Sequence, residues 1–352
     1  MRFIGNKEKL LDRIYKAVLS TDITSGTFCD FFSGTSNVGR YFKDKGFEII
    51  SSDLLYFSYV LQRAYITNNG EPKFKKLLNV IKRPSHALFS SSFDRVRDYL
   101  NNLKGSKGFI YNNYTEEGTA RQKYKRKYFT PENAKRIDAI RKIIEIWHNK
   151  KIITEDEYFV LLATLIESVP FYANISGVYA AFLKRYDPRA LKQFELKPIK
   201  FYLSDKSHTV YNKNSMDLID QLDVDILYID PPYNERQYAP NYHLLETIAR
   251  YDNPKIKGVT GMRNYDNQKS DFCNKDLALI ALDQIAQTSS YKTLILSYNS
   301  EGIMQEQDII SVLKKYGQVT KENIDYLRFK SNSNGDAKHK KIVQEQLFIL
   351  RR

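Results

Sequence analysis

The sequence predicts a doubly wound α/β domain that is interrupted by a mostly helical, basic insertion. Near the amino terminus, short apolar segments alternate with turns and amphipathic helices, the pattern of strands joined by crossover helices. This alternation stops near residue 71 and resumes near residue 199, and much of the positive charge lies between them. The chain has 352 residues, 42% of them hydrophobic, which is enough to bury the cores of two structural units.

Residues 1–70 contain the first half of the predicted sheet. Apolar side chains recur with a helical period after Asn6, and a buried apolar segment follows at residue 27. Gly46 is the expected end of a second helix, because glycine is common just after a helix. The predicted elements are, in order, a helix over 6–20, a strand over 27–32, a tight turn over 33–37, a helix over 38–45, a strand over 47–51 and a helix over 55–67.

Residues 71–198 form the predicted insertion, which has helical periodicity at 137–147 and 155–167 but few strand patterns. Residues 1–70 and 199–352 together form the predicted discontinuous catalytic domain. Its second half contains strands predicted at 199–203, 225–229 and 293–297, and a terminal β-hairpin of 324–329 and 343–350 around the polar loop 331–335.

Composition excludes several classes of protein. No uninterrupted apolar stretch approaches about 18 residues, so a membrane span is not expected. The amino terminus lacks the apolar segment of a secretion signal, and we therefore expect a cytoplasmic protein. Cys29 and Cys273 are too few for a disulfide scaffold, and the five histidines show no metal-ligand spacing, so no metal is expected.

The insertion carries the strongest signal for a polyanionic partner. Residues 71–150 contain 19 Lys and Arg against 8 Asp and Glu, which accounts for most of the chain's net charge of +14. Cations neutralise phosphates and release counterions, and tyrosines stack on bases, so this segment predicts binding to a nucleic acid. A well-solvated basic loop is the alternative. The residues predicted to contact the nucleic acid here are Arg121, Lys123, Tyr124, Lys125, Arg126 and Lys127.

A glycine turn after the first strand is the first candidate ligand site. Gly34 and Gly39 open a helix there and allow a ligand to approach the backbone closely. Three interpretations remain open. A P-loop requires Lys-Ser/Thr after the second glycine, where this chain has Arg40 and Tyr41. A dinucleotide fingerprint requires glycine in place of Ser36, and the third interpretation is a nucleoside cofactor such as S-adenosylmethionine.

The tetrapeptide Asp230-Pro231-Pro232-Tyr233 follows the strand at 225–229 and is the predicted catalytic motif. The carboxylate of Asp230 and the carbonyl of Pro231 can accept both hydrogens of an exocyclic amine, which directs the nitrogen lone pair at an electrophile. The prolines stiffen the turn, and Tyr233 offers a flat face to an extruded base. The alternative is a Pro-Pro turn in which Asp caps the strand and Tyr packs in the core.

These motifs, in this order, resemble those of the Dam-like adenine-specific DNA methyltransferases, which have a Rossmann-like class I methyltransferase sheet. The resemblance covers most of the α/β portion and implies S-adenosylmethionine as methyl donor. It departs from the usual pattern at Ser36, where glycine is common, and at Arg2, where lysine is usual. The residues it implies for cofactor binding are Phe3 and Lys7 at the methionine end, Asp30, Phe32, Ser33, Gly34 and Thr35 at the turn, Asp53 at the ribose, Met216 and Asp217 at the adenine, and Asp230.

The sequence therefore predicts methyl transfer to the exocyclic amine of adenine within a short duplex DNA sequence. The segment 234–238, which includes Arg236 and Tyr238, follows the catalytic motif and is expected to help hold the extruded nucleotide. The predicted role is the modification enzyme of a restriction–modification system. A restriction endonuclease acting on the same site is a candidate partner, and the enzyme itself is expected to be a monomer or weak dimer.

Three rival functions remain open at this point. The acceptor could be RNA adenine or the exocyclic amine of cytosine in DNA, and the chain could be a non-catalytic DNA-binding protein that keeps the fold. Asp at position 230 is less typical of the cytosine and RNA enzymes, which more often have Ser and Asn there. An intact Asp230 and Tyr233 also disfavour a protein without catalysis.

Overall fold

A computed structural model describes residues 3–81, 91–327 and 342–352. They cluster into two compact units. The sheet unit comprises Phe3–Gln62, Ser204–Ala239 and Asp266–Arg352, and the helical unit comprises Arg63–Leu203 and Pro240–Tyr265. Among the residues described, no helix has the length and apolar character needed to cross a bilayer.

The sheet unit is built on a seven-stranded sheet. Five strands run parallel, and the last two form an antiparallel hairpin at one edge. The strands are β1 (Thr27–Asp30), β2 (Glu48–Ser52), β3 (Thr209–Tyr211), β4 (Asp223–Ile229), β7 (Ser290–Asn299), β8 (Gln318–Leu327) and β9 (Ile342–Arg351). Their spatial order is β3-β2-β1-β4-β7-β9-β8.

Helices cover both faces of this sheet, as a parallel sheet requires. Successive residues of β1 point to opposite faces. Phe28 stacks on Phe42 of α2 (Asn37–Asp44), with ring centroids 3.8 Å apart, whereas Cys29 joins a buried cluster that includes Leu282 of α10 (Ala278–Thr288). The helices of this unit are α1 (Leu11–Leu19), α2 (Asn37–Asp44), α3 (Tyr56–Gln62), α10 (Ala278–Thr288) and α11 (Glu306–Leu313).

The helical unit contains most of the remaining elements. Its two longest helices begin at strong capping sequences: Thr130 accepts the Asn133 N–H ahead of Pro131, and Thr154 forms a capping box with Glu157. The elements are α4 (Lys75–Leu78), α5 (Ser92–Asn101), α6 (Phe109–Tyr114), α7 (Pro131–Asn149), α8 (Glu155–Ser168), most of α9 (Tyr238–Arg250), and the short strands β5 (Ile256–Lys257) and β6 (Met262–Arg263).

The predicted α/β fold class is confirmed, and so is the terminal hairpin, whose loop at 331–335 lies outside the described residues. The strand predicted at 199–203 is wrong. Phe201 packs edge-to-face on Phe93, and Tyr202 packs on Tyr65, both within the helical unit. Apolar periodicity cannot distinguish such packing from a strand over so short a segment.

The helical unit is larger than the predicted insertion of 71–198. It begins at Arg63, ends at Leu203 and also includes Pro240–Tyr265, which the sequence assigned to the catalytic domain. Hydrogen bonds within the unit explain the addition: Arg126 donates to the carbonyls of Gly258 and Val259, and the Tyr114 hydroxyl donates to the Gly261 carbonyl.

Candidate active site

Three carboxyl groups lie at the carboxyl edge of the sheet. Asp30 ends β1, Asp53 directly follows β2, and Asp230 directly follows β4. The chain order reverses between β1 and β4, which is where ligands bind in open α/β sheets. The topology therefore brings together three acidic residues that are far apart in the sequence.

A buried network connects Asp230 to two other strands and to the amino-terminal segment. The Lys7 side chain is 4% exposed, and its Nζ lies 3.1 Å from Oδ1 of Asp230. The same ammonium group contacts Oε1 of Glu345 on β9. The Ser297 hydroxyl, on β7, donates to that Glu345 oxygen at 3.0 Å. Asp230 is the most exposed member, at 18%, and lines a cleft.

Burial dominates the protonation of these groups. It raises the pKa of Asp230 above its ordinary value; Lys7 opposes the shift and Glu345 adds to it. Burial alone would lower the pKa of Lys7, but Asp230 and Glu345 together raise it, so Lys7 stays charged. Burial also raises the pKa of Asp30 to about 7, although the Gly39 N–H, 3.0 Å from Oδ2, opposes this shift.

The turn after β1 is fixed by Asp53. One oxygen of Asp53 accepts the Gly34 N–H at 2.7 Å, and the other accepts the Leu55 N–H at 2.8 Å. Gly34 has φ +51°, and a Cβ there would lie 3.0 Å from the ring of Phe3. Ser36 has φ +58°, a conformation that glycine adopts without strain, so the departure from the family pattern at this position preserves the bend.

One cleft of the sheet unit is lined by the turn, the ribose acid and the catalytic motif. Its lining combines apolar side chains with a few convergent polar groups, the usual composition of a small-molecule site. An adjoining recess is lined by Lys7, Asp30, Ser33, Thr35 and Asp230. The predicted residues that line the cleft are Phe3, Phe32, Gly34, Asp53, Asp230, Pro232 and Tyr238.

Comparison with known families identifies the chain. The family described as D12 class N6 adenine-specific DNA methyltransferase matches residues 3–337. The chain belongs to this family. Membership in a methyltransferase family implies S-adenosylmethionine as the cofactor in general. It also agrees with the position of the cleft at the reversal of strand order.

Curated relatives of this D12-class chain are named as modification enzymes. It is 40% identical over 357 residues to the type II methyltransferase M.FokI of Planomicrobium okeanokoites, covering 100% of this chain and 53% of that protein. It is 38% identical over 359 residues to the modification methylase StsI of Streptococcus sanguinis, covering 100% and 52%. It is 37% identical over 344 residues to the type II methyltransferase M.NlaIII of Neisseria lactamica, covering 97% and 96%. The chain thus spans about half the length of the first two relatives.

Some residues predicted for the D12-class site lie outside the lining described for the cleft and recess. Tyr233 is partly buried against the core cluster, as is Met216, and Asp217 is exposed. Pro231 is buried in the turn after β4. The neighbouring Asn214 and Ser215 line the cleft instead, because the 3-10 helix at 215–217 turns Ser215 inward to bond the Phe31 carbonyl.

The residues predicted to contact DNA have different environments. Arg121, Lys123 and Lys125 are exposed, and Tyr124 is half-buried. Lys127 forms an ion pair with Glu116 at 3.1 Å. Arg236 is exposed, whereas Tyr238 lines the cleft and packs on Phe3, with ring centroids 5.6 Å apart.

Arg126 differs most from its prediction. It is 4% exposed, and its guanidinium group donates to backbone carbonyls of the helical unit, so it does not present a free cation to a phosphate. We therefore correct its predicted role from DNA contact to support of the loop at 258–259.

Sequence reasoning missed several site residues. Glu345 carried a usable signal, because it is an acidic residue within a predicted strand that ends in apolar residues. Gln237 belongs to the segment 234–238 that was expected to hold the nucleotide, but its pairing with Ser270 carried no signal: both line the cleft and exchange two hydrogen bonds, of 2.8 and 3.1 Å, although 33 positions separate them.

Asp30 predicts a pH dependence of stability. Its pKa rises to about 7 in the folded protein, whereas an unfolded Asp titrates near about 4. Between these values the folded state binds more protons, so its contribution to the free energy of unfolding should fall as the pH rises, and level off above about 7. Across this pH window, the melting temperature of Asp30→Asn should depend less steeply on pH than that of the wild type. The exposed-site control Asp44→Asn should keep the wild-type slope, and a wild-type slope in Asp30→Asn would contradict the shift.

Proposed function

We propose that this chain transfers a methyl group from S-adenosylmethionine to the exocyclic amine of an adenine within a short duplex DNA sequence. One observation carries the proposal: the Gly34 bend, Asp53 and Asp230 line one cleft in a chain of the D12 family. An Asp-Pro-Pro-Tyr motif pointing away from the glycine bend would have been incompatible with this chemistry.

The lining of the cleft suits the proposed cofactor in polarity. Phe3 and Phe32 give it apolar walls, and glycine at 34 lets the ring of Phe3 pack closely on the turn, where a Cβ would lie 3.0 Å from that ring. The Asp53 carboxylate, which accepts the Gly34 and Leu55 N–H groups, is proposed to accept the ribose hydroxyls as well. Lys7, Asp30, Ser33 and Thr35 line the recess proposed for the methionine end. When bound, the cofactor supplies an electrophilic methyl group on a sulfonium sulfur.

The chain's own residues hold the acceptor amine. The Asp230 carboxylate and the Pro231 carbonyl are proposed to accept its two N–H hydrogens, which orients the nitrogen lone pair toward the cleft. Tyr233 is proposed to stack on the extruded base, because a paired and stacked adenine cannot reach the edge of the sheet. Asp230 needs its ionised form for this role. Methyl transfer should therefore decline as the pH falls through the raised pKa of that carboxyl.

The helical unit is the proposed DNA-recognition domain. Its exposed cations at Arg121, Lys123 and Lys125 suit contact with phosphates, and Tyr124 lies among them. Met216 and Asp217 stay assigned to the cofactor's adenine by sequence alone, and Lys127, Arg236 and Tyr238 stay assigned to DNA on the same basis.

Salt dependence tests the basic segment. Replacing Arg121, Lys123 and Lys125 with Gln should lower the slope of log affinity against log salt by up to about 3, because each lost phosphate contact removes about 0.9. DNA affinity would be measured by fluorescence anisotropy over a salt series. The matched control replaces three exposed cations of the sheet unit, Lys45, Lys292 and Lys314, and should keep the wild-type slope. An unchanged slope in the first variant would place this segment away from the DNA.

The names of the relatives support a role in restriction–modification. In this role the chain would protect a short site from a restriction endonuclease acting on the same sequence. A cytoplasmic location beside the DNA and a monomeric or weakly dimeric state are part of the proposal.

The decisive experiment incubates the purified chain with radiolabelled S-adenosylmethionine and either genomic DNA or total RNA. Label should enter DNA, and mapping of modified bases should find N6-methyladenine at one recurrent sequence. Label in RNA alone, or on cytosine, would replace the proposed acceptor, and no label in either nucleic acid would contradict the proposed activity.

A further inference from the structure

We infer that Glu345 is a positioning residue that acts through Lys7 on Asp230. The inference rests on the proposed function and extends it to a residue at the opposite end of the chain. Glu345 does not reach the acceptor amine in this scheme. It sets the position and the charge balance of the group that does.

The geometry leaves Lys7 shared between two carboxylates. Its Nζ contacts Glu345 and lies 3.1 Å from Asp230, and all three groups belong to the sheet unit. Glu345 is held in turn by the Ser297 hydroxyl at 3.0 Å. Because β7 and β9 pair in register, with Ser297 opposite Leu347, the sheet fixes where Glu345 can hold the ammonium group.

The sharing matters because a lone ion pair would work against the reaction. If Lys7 paired with Asp230 alone, the pair would be neutral, and the ammonium would compete with the substrate for the carboxylate lone pairs. With Glu345 present, the three groups carry a net charge of −1 beside the acceptor. As the N–C bond forms and the S–C bond breaks, positive charge passes from sulfur to the amine nitrogen, which then loses a proton to water. A net negative cluster stabilises that developing charge.

The arrangement also predicts a distinctive response to pH. The titratable groups around Asp230 are Lys7 from the amino-terminal segment, Glu345 from β9, Asp30 at the end of β1 and Tyr228 within β4. Glu345 raises the pKa of Asp230, and Lys7 lowers it. Removing the Glu345 charge should therefore lower the pKa of Asp230. It should also weaken the stabilisation that the cluster gives to positive charge on the amine.

The test is Glu345→Gln, which keeps the size of the side chain and an oxygen that can accept from Lys7 and Ser297. We expect kcat to fall by at least about tenfold, with KM for the cofactor changing less than about threefold, because the charge acts on the transition state. The acidic limb of the kcat profile should move to lower pH. In the cofactor-free protein, the melting temperature should depend on pH partly through Asp230, and comparison with Asp230→Asn identifies that part. In Glu345→Gln, we expect that part of the pH dependence to move to lower pH as well.

Glu322→Gln is the matched control. It removes an acidic group from the same hairpin, where Glu322 pairs with Arg13 at 3.2 Å, and it should retain the wild-type kcat and pH profile. A wild-type profile in Glu345→Gln, with wild-type methylation intact, would overturn the inference alone. Absence of methylation by the wild-type chain would instead overturn the proposed function.

A second variant covers failure of Glu345→Gln to fold. Ser297→Ala removes one hydrogen bond to Glu345 and keeps all charges, so Glu345 should hold Lys7 less firmly. We expect a smaller loss of kcat, about twofold to tenfold, with cofactor affinity maintained. A folded Ser297→Ala protein with wild-type kcat would contradict the positioning role.

Discussion

Replacing Asp230 with Ala should reduce kcat for methyl transfer by at least about 10²–10³-fold, the usual cost of removing a preorganised group at a reacting centre. The acceptor amine would lose the carboxylate that orients it, while the cleft walls and the exposed cations of the helical unit remain. Single-turnover transfer from labelled cofactor measures the loss, and DNA affinity measured in parallel should change by less than about threefold.

Asp223→Ala provides the comparison for that variant. Asp223 begins the same strand that Asp230 follows, and its carboxylate accepts an exposed hydrogen bond from Ser290. Turnover should stay close to wild type, because the amino-terminal end of β4 lies away from the carboxyl edge of the sheet. Near-normal transfer by Asp230→Ala would remove the proposed mechanism, whatever the control shows.

Replacing Asp53 with Ala should weaken cofactor affinity by about 10²-fold. Hydrogen bonds to a charged group contribute about 1.5–3 kcal/mol each, and this variant would lose those proposed to the ribose. It would also release the Gly34 and Leu55 N–H groups that hold the turn. Titration calorimetry with S-adenosylmethionine and without DNA gives the affinity directly.

Thermal melting separates a binding defect from a folding defect in Asp53→Ala. Asp44→Ala, on the exposed side of α2, removes the same charge without touching the turn, and it should bind the cofactor normally. Wild-type affinity in a folded Asp53→Ala protein would show that the cofactor does not use this carboxylate.

Much of the sheet could be predicted because its signals are local. The strand at Thr27–Asp30 lies in a largely apolar segment that a glycine turn follows, and Asp223–Ile229 is followed by Asp230 and two prolines. The segment at 199–203 has an equally apolar pattern but packs on helices. The strand that the structure has in this part of the chain is Thr209–Tyr211. It has only three residues, with side chains at least partly exposed, so apolar periodicity cannot detect it.

Part of the candidate site could likewise be predicted from local signals, and part could not. Gly34, Asp53 and Asp230 each follow a strand, so the rule for the carboxyl edge of parallel strands placed them together in advance. Arg126 lies within a basic run and was predicted to contact DNA, yet its donors bind carbonyls that are more than a hundred residues away. Charge alone does not indicate whether a guanidinium group faces solvent or supports a loop.

The sequence by itself determined the fold class, the family resemblance and the acidic residues at the strand ends, because each depends on residues adjacent along the chain. Tertiary structure alone decided that the Lys7 ammonium group contacts both Asp230 and Glu345, although Lys7 and Glu345 lie 338 positions apart. It also decided that Gln237 and Ser270 join the cleft. Contacts of this kind depend on strand order and register, which pair residues across the sheet without leaving a local pattern in the sequence.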